Sequence, residues 1–312
     1  VSTKVAVVIP VFNRPDAVRR AITSVLAQTC QDLEIVVVDD GSTDSTVAAV
    51  AAIHDHRIRI VRHGRNRGGA AARNSGIRAT TAPFVAFLDS DDEWVPAKLE
   101  RQLEIFERAG DDLGLVYAGV ERIRPDGRVE VDIPSRRSNL AGTLLVQNVI
   151  GETSVGMVRR SVFERVGGFD ETLPASQDLD LWLRICERFR ADVVPEVLVR
   201  VTKGNDRSRI SLNIEAGLAG RELFRRKHRE KLVAHGVLHK HLQETGWLCL
   251  RDGRNRREAR RYFISALMAN PITPLSYLLV LVACLPMAWL DFFARCKRGF
   301  TASRVRQRSW AS

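Results

Sequence analysis

The chain has 312 residues, 45% hydrophobic and 27% charged, which is enough apolar material for one large domain or two smaller ones and excludes wholesale disorder. Its net charge of +11 is uneven: from Arg200 onward there are 23 Lys and Arg against 8 Asp and Glu, while the first 199 residues carry 25 against 29. With aromatics at 6% and no nucleic-acid-binding motif beside the basic stretch, the charge argues for a membrane surface as partner and against nucleic acid.

Strand and helix patterns alternate through the first 120 residues. "KVAVVI" (4–9) is a short apolar strand, and "PDAVRRAITSVLAQ" (15–28) has helical spacing with Pro15 near its start. "LEIVVVDD" (33–40) is the second strand, and "STDSTVAAVAAI" opens with residues that cap helices. "IRIVRH" (58–63), the small-residue helix "GGAAARNSGIRAT" (68–80), the strand "FVAFLD" (84–89) and the helix "PAKLERQLEIFERAG" (96–110) follow. This alternation predicts an α/β fold with a mostly parallel central sheet flanked by helices. Ligands of such sheets bind beyond the carboxyl ends of the strands. That rule places "PVFNR", "DDGSTD" and "DSDDEW" on one rim.

Farther on, "GLVYAGVERI" and "GRVEVDI" read as a hairpin through "RPDG". "SVGMVRRSVFERVGGFDE" reads as a strand, a short helix and a Gly-Gly stop. "DLDLWLRICERF" (178–189) is an amphipathic helix with Leu181, Trp182 and Ile185 on its apolar side. Beyond about residue 205 the chain turns helical and basic, and residues 246–271 resemble one tetratricopeptide-like helix pair, read as a helical hairpin because no second copy follows. Residues 272–290 are almost wholly apolar, short for a spanning helix, and interrupted by Pro274 and Pro286; Asp291 and a basic tail follow. A single short span or an interfacial helix is expected there. Cys30, Cys186, Cys249, Cys284 and Cys296 form no CxxC pair and are odd in number, which favours reduced thiols over disulfides or zinc. No signal-peptide pattern precedes the first strand, so a cytoplasmic chain is expected.

The chemistry is concentrated in acids. Asp89, Asp91 and Asp92 crowd the end of an apolar strand, where a hard divalent cation would offset their repulsion. Each also has a structural reading, and Asp92 is placed to cap the helix that starts near Pro96. Asp39 and Asp40 close the second strand, where a carboxylate is able to accept an N–H from a base or hydroxyls from a ribose. Asp44 reads as a capping residue.

"VVIPVFNR", "VVVDDGSTDST", "NRGGAAARNSGI", "FLDSDDEW" and "QDLDLWLRI", in this order, resemble an inverting family-2 glycosyltransferase of the GT-A fold over about residues 4–202. The resemblance implies a catalytic domain over 1–205; charge and apolar patterning add a basic helical extension over 206–271 and an apolar helix with a basic tail over 272–312. It implies a nucleotide-sugar donor, with Asp40 reading the base edge, Pro10 and Phe12 walling the base, Asp89 near the ribose, and Arg73 and Asn74 near the donor. Arg73 has a second reading as the ion-pair partner of one of these aspartates. Asp91 would be the main ligand of Mn2+ or Mg2+, with Asp92 in support. Asp178 would be the base, Gln177 and Trp182 acceptor or support residues, and Asp180 structural.

Three positions depart from the family's pattern: Phe12 where Tyr is common, Gln177 where Glu is common, and Thr202 and Lys203 where a His is often found. Lys203 or Arg207 is the expected electrostatic substitute for that His. The expected reaction moves one sugar, a UDP-sugar first, to a glycan or lipid-linked acceptor at the inner face of a membrane. Three rival enzymes lack their signatures. A nucleotidyltransferase would need a Gly-rich first loop, a dinucleotide oxidoreductase GxGxxG, and a processive synthase several spans. A catalytically inactive nucleotide-sugar-binding scaffold of the same fold predicts a broken acid set, and Asp40, Asp89, Asp91 and Asp178 are all present.

Overall fold

A computed structural model describes residues 3–135, 139–202, 213–251 and 255–284. The chain divides into two compact units: residues 1–141, 148–172 and 177–205 form one, and residues 142–147, 173–176 and 206–312 the other. The elements run β1 (Val5–Val11), α1 (Pro15–Leu26), β2 (Leu33–Asp39), α2 (Thr46–Ala51), β3 (Ile58–Arg62), α3 (Gly69–Arg78), β4 (Phe84–Phe87), β5 (Asp92–Trp94) and α4 (Lys98–Arg108). Then come β6 (Leu113–Ile123), β7 (Val129–Asp132), α5 (Leu140–Leu144), a 3-10 turn (Thr153–Val155), β8 (Gly156–Arg159), α6 (Ser161–Val166), α7 (Gln177–Cys186) and β9 (Arg190–Thr202). Helices α8 (Ile214–Lys227), α9 (Arg229–Ala234), α10 (Leu238–Arg251), α11 (Arg256–Ala269) and α12 (Pro274–Val282) are the last elements among the described residues.

The first unit is built on a nine-stranded sheet of order β3-β2-β1-β4-β8-β6-β9-β5, with β7 paired to β6. β1 runs parallel to both β2 and β4, and β2 runs parallel to β3. The four predicted strands therefore end on one edge. The second half of the sheet is mixed, because β8 pairs antiparallel with β4 and β6 while β6 runs parallel to β9. Every residue of β1 is buried, as expected of a strand covered on both faces. α1 buries Val18, Ala21, Ile22 and Val25, the stripe its spacing predicts. α3 lies close to β1 because its residues are small: a Cβ on Gly76 would come within 2.2 Å of Val8 Cγ1.

The predicted hairpin is β6–β7, and the Gly-Gly stop falls after α6, where Gly167 takes φ +75°. β5 escapes a reading by periodicity because it is only three residues long. It exists because β9 passes beside it, pairing Asp92 with Val201. Asp92 is therefore a strand residue, and the residue that precedes α4 is Ala97, which makes no side-chain cap. Asp44, one residue before the N-cap Ser45, accepts the backbone N–H of Thr46 at 2.9 Å as α2 begins.

In the second unit α10 and α11 form the expected helix pair. Ala259 and Phe263 are buried with Cys249, Leu250, Leu279 and Ala283. A Cβ on Gly246 would meet Phe263 Cε1 at 2.4 Å, so this crossing requires glycine. Among the described residues Cys30, Cys186, Cys249 and Cys284 are free thiols, and no helix is long and apolar enough to cross a membrane. The rest of the apolar run beyond Cys284, with Asp291, the basic tail, Lys203 and Arg207, lies outside the described residues.

Candidate active site

The predicted rim forms at the carboxyl edge of β1, β2 and β4. After β1 the chain turns at Asn13, whose φ of +50° is a conformation that Asn tolerates. Asn13 then reaches the loop after β2: its backbone N–H donates to Ser42 Oγ at 2.9 Å, and its Oδ1 accepts from the Thr43 N–H at 2.9 Å. Arg14 reaches the other way, pairing with Asp91 at 2.7 Å. The three quoted stretches thus meet through side chains. Phe12 is 41% exposed at this edge, whereas Pro10 is buried inside β1, where the β4 ladder has already stopped at Val8–Phe87. A ladder there would need the N–H that proline lacks.

The chain turns between Asp89 and Asp92, closed by the Asp92 N–H donating to the Asp89 carbonyl at 3.0 Å. Their carboxylates take different partners. Asp89 accepts from Arg73 and, at 3.0 Å, from the Thr153 hydroxyl. The ion-pair reading of Arg73 is therefore observed, and its guanidinium also lies over the Phe169 ring at 5.5 Å. Asp92 is buried and accepts from Ser154 Oγ at 2.7 Å. Burial, reinforced by the Asp89 and Asp91 charges, holds the Asp92 carboxyl well above the usual carboxylate range.

Both oxygens of Asp40 are held by residues 63–68. Its Oδ1 accepts from the Arg67 N–H at 2.9 Å and lies 2.7 Å from His63 Nδ1, and its Oδ2 accepts from the Gly68 N–H at 2.8 Å. His63 Nε2 lies 2.9 Å from Ser75 Oγ, so one imidazole ties the second strand's acid to α3. Asp39, by contrast, keeps a buried Oδ2 with no hydrogen-bond partner, 3.6 Å from Arg62 Nε. Asn74 is a bracket for the 168–171 turn: it donates to the Phe169 carbonyl and accepts the Phe169 N–H at 2.9 and 2.8 Å.

Asp178 stands in the first turn of α7, where the helix dipole favours an anion. Its Oδ1 accepts the Leu179 N–H at 2.8 Å and its Oδ2 accepts Asn148 Nδ2 at 2.9 Å. Desolvation is the main cause that raises its pKa to about 6. The Leu179 N–H and then Arg73 oppose this, while Glu152 and Asp89 add to it. Asp89, Arg73 and Asp178 thus share one electrostatic neighbourhood. Asp180 is wholly buried and paired with Arg184 at 2.8 Å. Gln177 begins α7, half-buried. Trp182 is wholly buried, with its Nε1 donating to the Gly151 carbonyl at 3.3 Å; it supports the site from behind and has no surface for an acceptor.

Sequence reasoning missed residues 148–154. Asn148 reaches Asp178, Thr153 reaches Asp89, and Ser154 bonds both the Asp92 carboxylate and the Asp89 N–H. Glu152 takes a two-pronged bond from Arg122, both contacts at 2.7 Å. A polar cluster wedged between apolar stretches was the available signal.

A divalent cation requires hard oxygen donors, and Asp91 and Asp89 are of that kind. Among the described residues no group of three or more His, Cys, Asp or Glu is arranged to hold an ion alone. This donor set fits an ion completed by a ligand's phosphates and water, not an all-protein cage.

The mixed sheet, parallel over β3-β2-β1-β4 and flanked by helices, is a GT-A type fold. The crystal structure of S. aureus TarS 1-349 has a TM-score of 0.62 and 18% identity, covering 89% of this chain and 84% of that one. The mannosyltransferase PcManGT from Pyrobaculum calidifontis, in complex with GDP-Man and Mn2+, has a TM-score of 0.58 and 22% identity, covering 90% and 79%. The Glycosyl transferase family 2 pattern matches residues 6–167, just over half of the chain, and the chain belongs to that family. An uncharacterized glycosyltransferase of Rickettsia bellii is 34% identical over 192 residues, 58% of this chain and 27% of that protein. The succinoglycan biosynthesis protein ExoO of Rhizobium meliloti is 44% identical over 124 residues, 40% of this chain and 35% of that protein. The chain spans 27% to 31% of the length of the first three Rickettsia relatives.

Proposed function

We propose that the chain is a metal-dependent inverting glycosyltransferase that moves one sugar from a nucleotide-diphosphate sugar, a UDP-sugar first, to a hydroxyl of a glycan or lipid-linked acceptor. The observation that carries this reading is Asp178: a carboxyl raised to about 6, at a helix start, in the electrostatic reach of Arg73 and Asp89. Such a carboxyl is ionised at neutral pH and basic enough to take a proton.

On this reading Asp178 accepts the acceptor hydroxyl's proton as that oxygen attacks the anomeric carbon from the face opposite the diphosphate. A single displacement inverts the centre. Asp89 and Phe12 orient the nucleoside, and Asp40 shapes the base pocket through the 63–68 segment that it holds. Asp91, with Asp89 beside it, would hold Mn2+ or Mg2+. When bound, that ion neutralises the departing diphosphate as a Lewis acid. Arg14 must share or release Asp91 as the donor arrives, and its guanidinium then pairs with the phosphates. The structure of S. aureus TarS 1-349 in complex with UDP-GlcNAc and that of PcManGT with GDP-Man and Mn2+ support a nucleotide-sugar donor with a divalent ion. ExoO's role in succinoglycan biosynthesis supports a polysaccharide setting. Leu275, Leu278 and Leu281 lie 48%, 48% and 65% exposed on α12, which supports a seat at the inner face of a membrane.

The test is calorimetric titration with UDP, GDP and dTDP, each with and without Mn2+, on the wild type and Asp91→Ala. Nucleotide binding that requires Mn2+ and is lost in Asp91→Ala is expected. Tight binding unaffected by Mn2+ or by the substitution would refute the metal role. Turnover undiminished in Asp178→Asn would refute the base.

A further inference from the structure

Asn148 is wired at both ends of its side chain. Its Nδ2 donates to the Gly151 carbonyl at 3.0 Å and to Asp178 Oδ2 at 2.9 Å. Its Oδ1 accepts the N–H groups of Ile150 at 3.2 Å and Gly151 at 3.0 Å. Two acceptors facing one end and two donors facing the other allow only one amide orientation, since a flipped amide would face like with like. The turn that makes this possible depends on Gly151, at φ +106°, where a side chain would be strained. The Gly151 carbonyl also accepts from Trp182 Nε1, so the turn is bonded to α7 at two residues, Asp178 and Trp182. A few residues on, Thr153 and Ser154 hold Asp89 and Asp92. One short stretch therefore spans from the acids after β4 to the acid on α7.

With Leu179 N–H on Oδ1 and Asn148 on Oδ2, the Asp178 carboxylate cannot rotate without breaking a bond. Each oxygen keeps a second lone pair for a substrate hydroxyl. We infer that Asn148 is a positioning residue for Asp178, fixing the plane of the proton-accepting carboxylate and favouring its ionised form. This rests on Asp178 as the base. The charged groups that face Asp178 are Arg73 from α3, Glu152 from the 148–154 stretch and Asp89 from the end of β4. Arg73 alone among these charges favours the anion; the Leu179 N–H on Oδ1 favours it as well, and the Asn148 donor on Oδ2 is the second hydrogen bond to the carboxylate.

Two substitutions separate the roles. Asn148→Ala removes the donor and also frees the turn. Asn148→Asp keeps an oxygen for the Ile150 and Gly151 N–H groups, preserving the turn, but sets an acceptor against Asp178. The Asp178 carboxyl carbon, labelled with 13C and assigned by its loss in Asp178→Asn, is titrated by NMR from acid to neutral pH, without substrate. Its midpoint is expected to rise by about one pH unit in Asn148→Ala and by more in Asn148→Asp. With the nucleotide sugar selected by calorimetry, kcat at pH 7 is expected to fall about tenfold in both while donor KM stays within about twofold. An unmoved midpoint in Asn148→Asp, or a loss confined to donor KM, overturns the inference. If Asp178→Asn still turns over at the wild-type rate, the base reading itself has failed. If Asp178→Asn is inactive and the midpoints are unmoved, only the role of Asn148 has failed.

Discussion

Asp178→Asn is expected to abolish turnover and yet stabilise the protein at alkaline pH. The folded state holds the Asp178 proton to about 6 against an ordinary 3.8. The ionised carboxylate therefore costs stability, absent below the ordinary value and complete above about 6. The difference between those two values corresponds to about 3 kcal/mol. Asparagine removes that cost but has only one oxygen, so one of the two donors, Leu179 N–H or Asn148 Nδ2, loses its acceptor. That loss costs about 1 kcal/mol. The net is a gain of about 2 kcal/mol at pH 8, shrinking toward zero or reversing near pH 4. Urea unfolding of both proteins at the two pH values measures it, and turnover from pH 5 to 8 measures the companion effect. Wild-type kcat/KM for the acceptor should fall about tenfold per pH unit below pH 6, as the base takes its proton before the acceptor arrives. A variant that is less stable than wild type at pH 8, or an acid limb that lies near pH 4, would refute the desolvation argument.

Lys98 is wholly buried, with Gln102 Oε1 at 2.8 Å and the Trp94 ring 3.9 Å from its ammonium; burial pushes its pKa well below the lysine range. Lys98→Met should therefore stabilise by about 1–3 kcal/mol at neutral pH. The advantage shrinks as pH rises toward the lysine range, because the wild-type cost is that of the charged form; denaturation at pH 6 and 9.5 checks the slope. Gly76→Ala gains about 1 kcal/mol of helix propensity. The 2.2 Å approach to Val8 Cγ1 outweighs it, so a net loss of about 1–3 kcal/mol is expected by thermal unfolding. Ser154→Ala strips the Asp89 N–H and the buried Asp92 carboxyl of one partner each; a loss of about 1–3 kcal/mol and weaker Mn2+-dependent nucleotide binding are expected by calorimetry.

Much of this was legible in the chain itself. The alternation of apolar runs with helical stretches determined that β1 to β4 are parallel and that their acid-bearing ends share an edge. The helix read over 178–189 placed Asp178 at a helix start. These are local properties, set by periods of two and 3.6 residues and by the residues that begin and end helices. What only the tertiary structure decided are contacts between stretches distant in sequence. Arg14 lies on Asp91, Arg73 on Asp89 and Asn148 on Asp178, across 77, 16 and 30 positions. Periodicity carries no information about such pairs. It did not show that His63, Arg67 and Gly68 occupy both oxygens of Asp40 while Asp39 Oδ2 has no hydrogen bond. Nor did it separate Trp182 as a buried support from Trp182 as a binding surface, because a helix face is buried only by what packs on it. Asp92 is the clearest case: beside Pro96 it reads as a cap, and the passage of β9 makes it a strand residue with its carboxyl on Ser154.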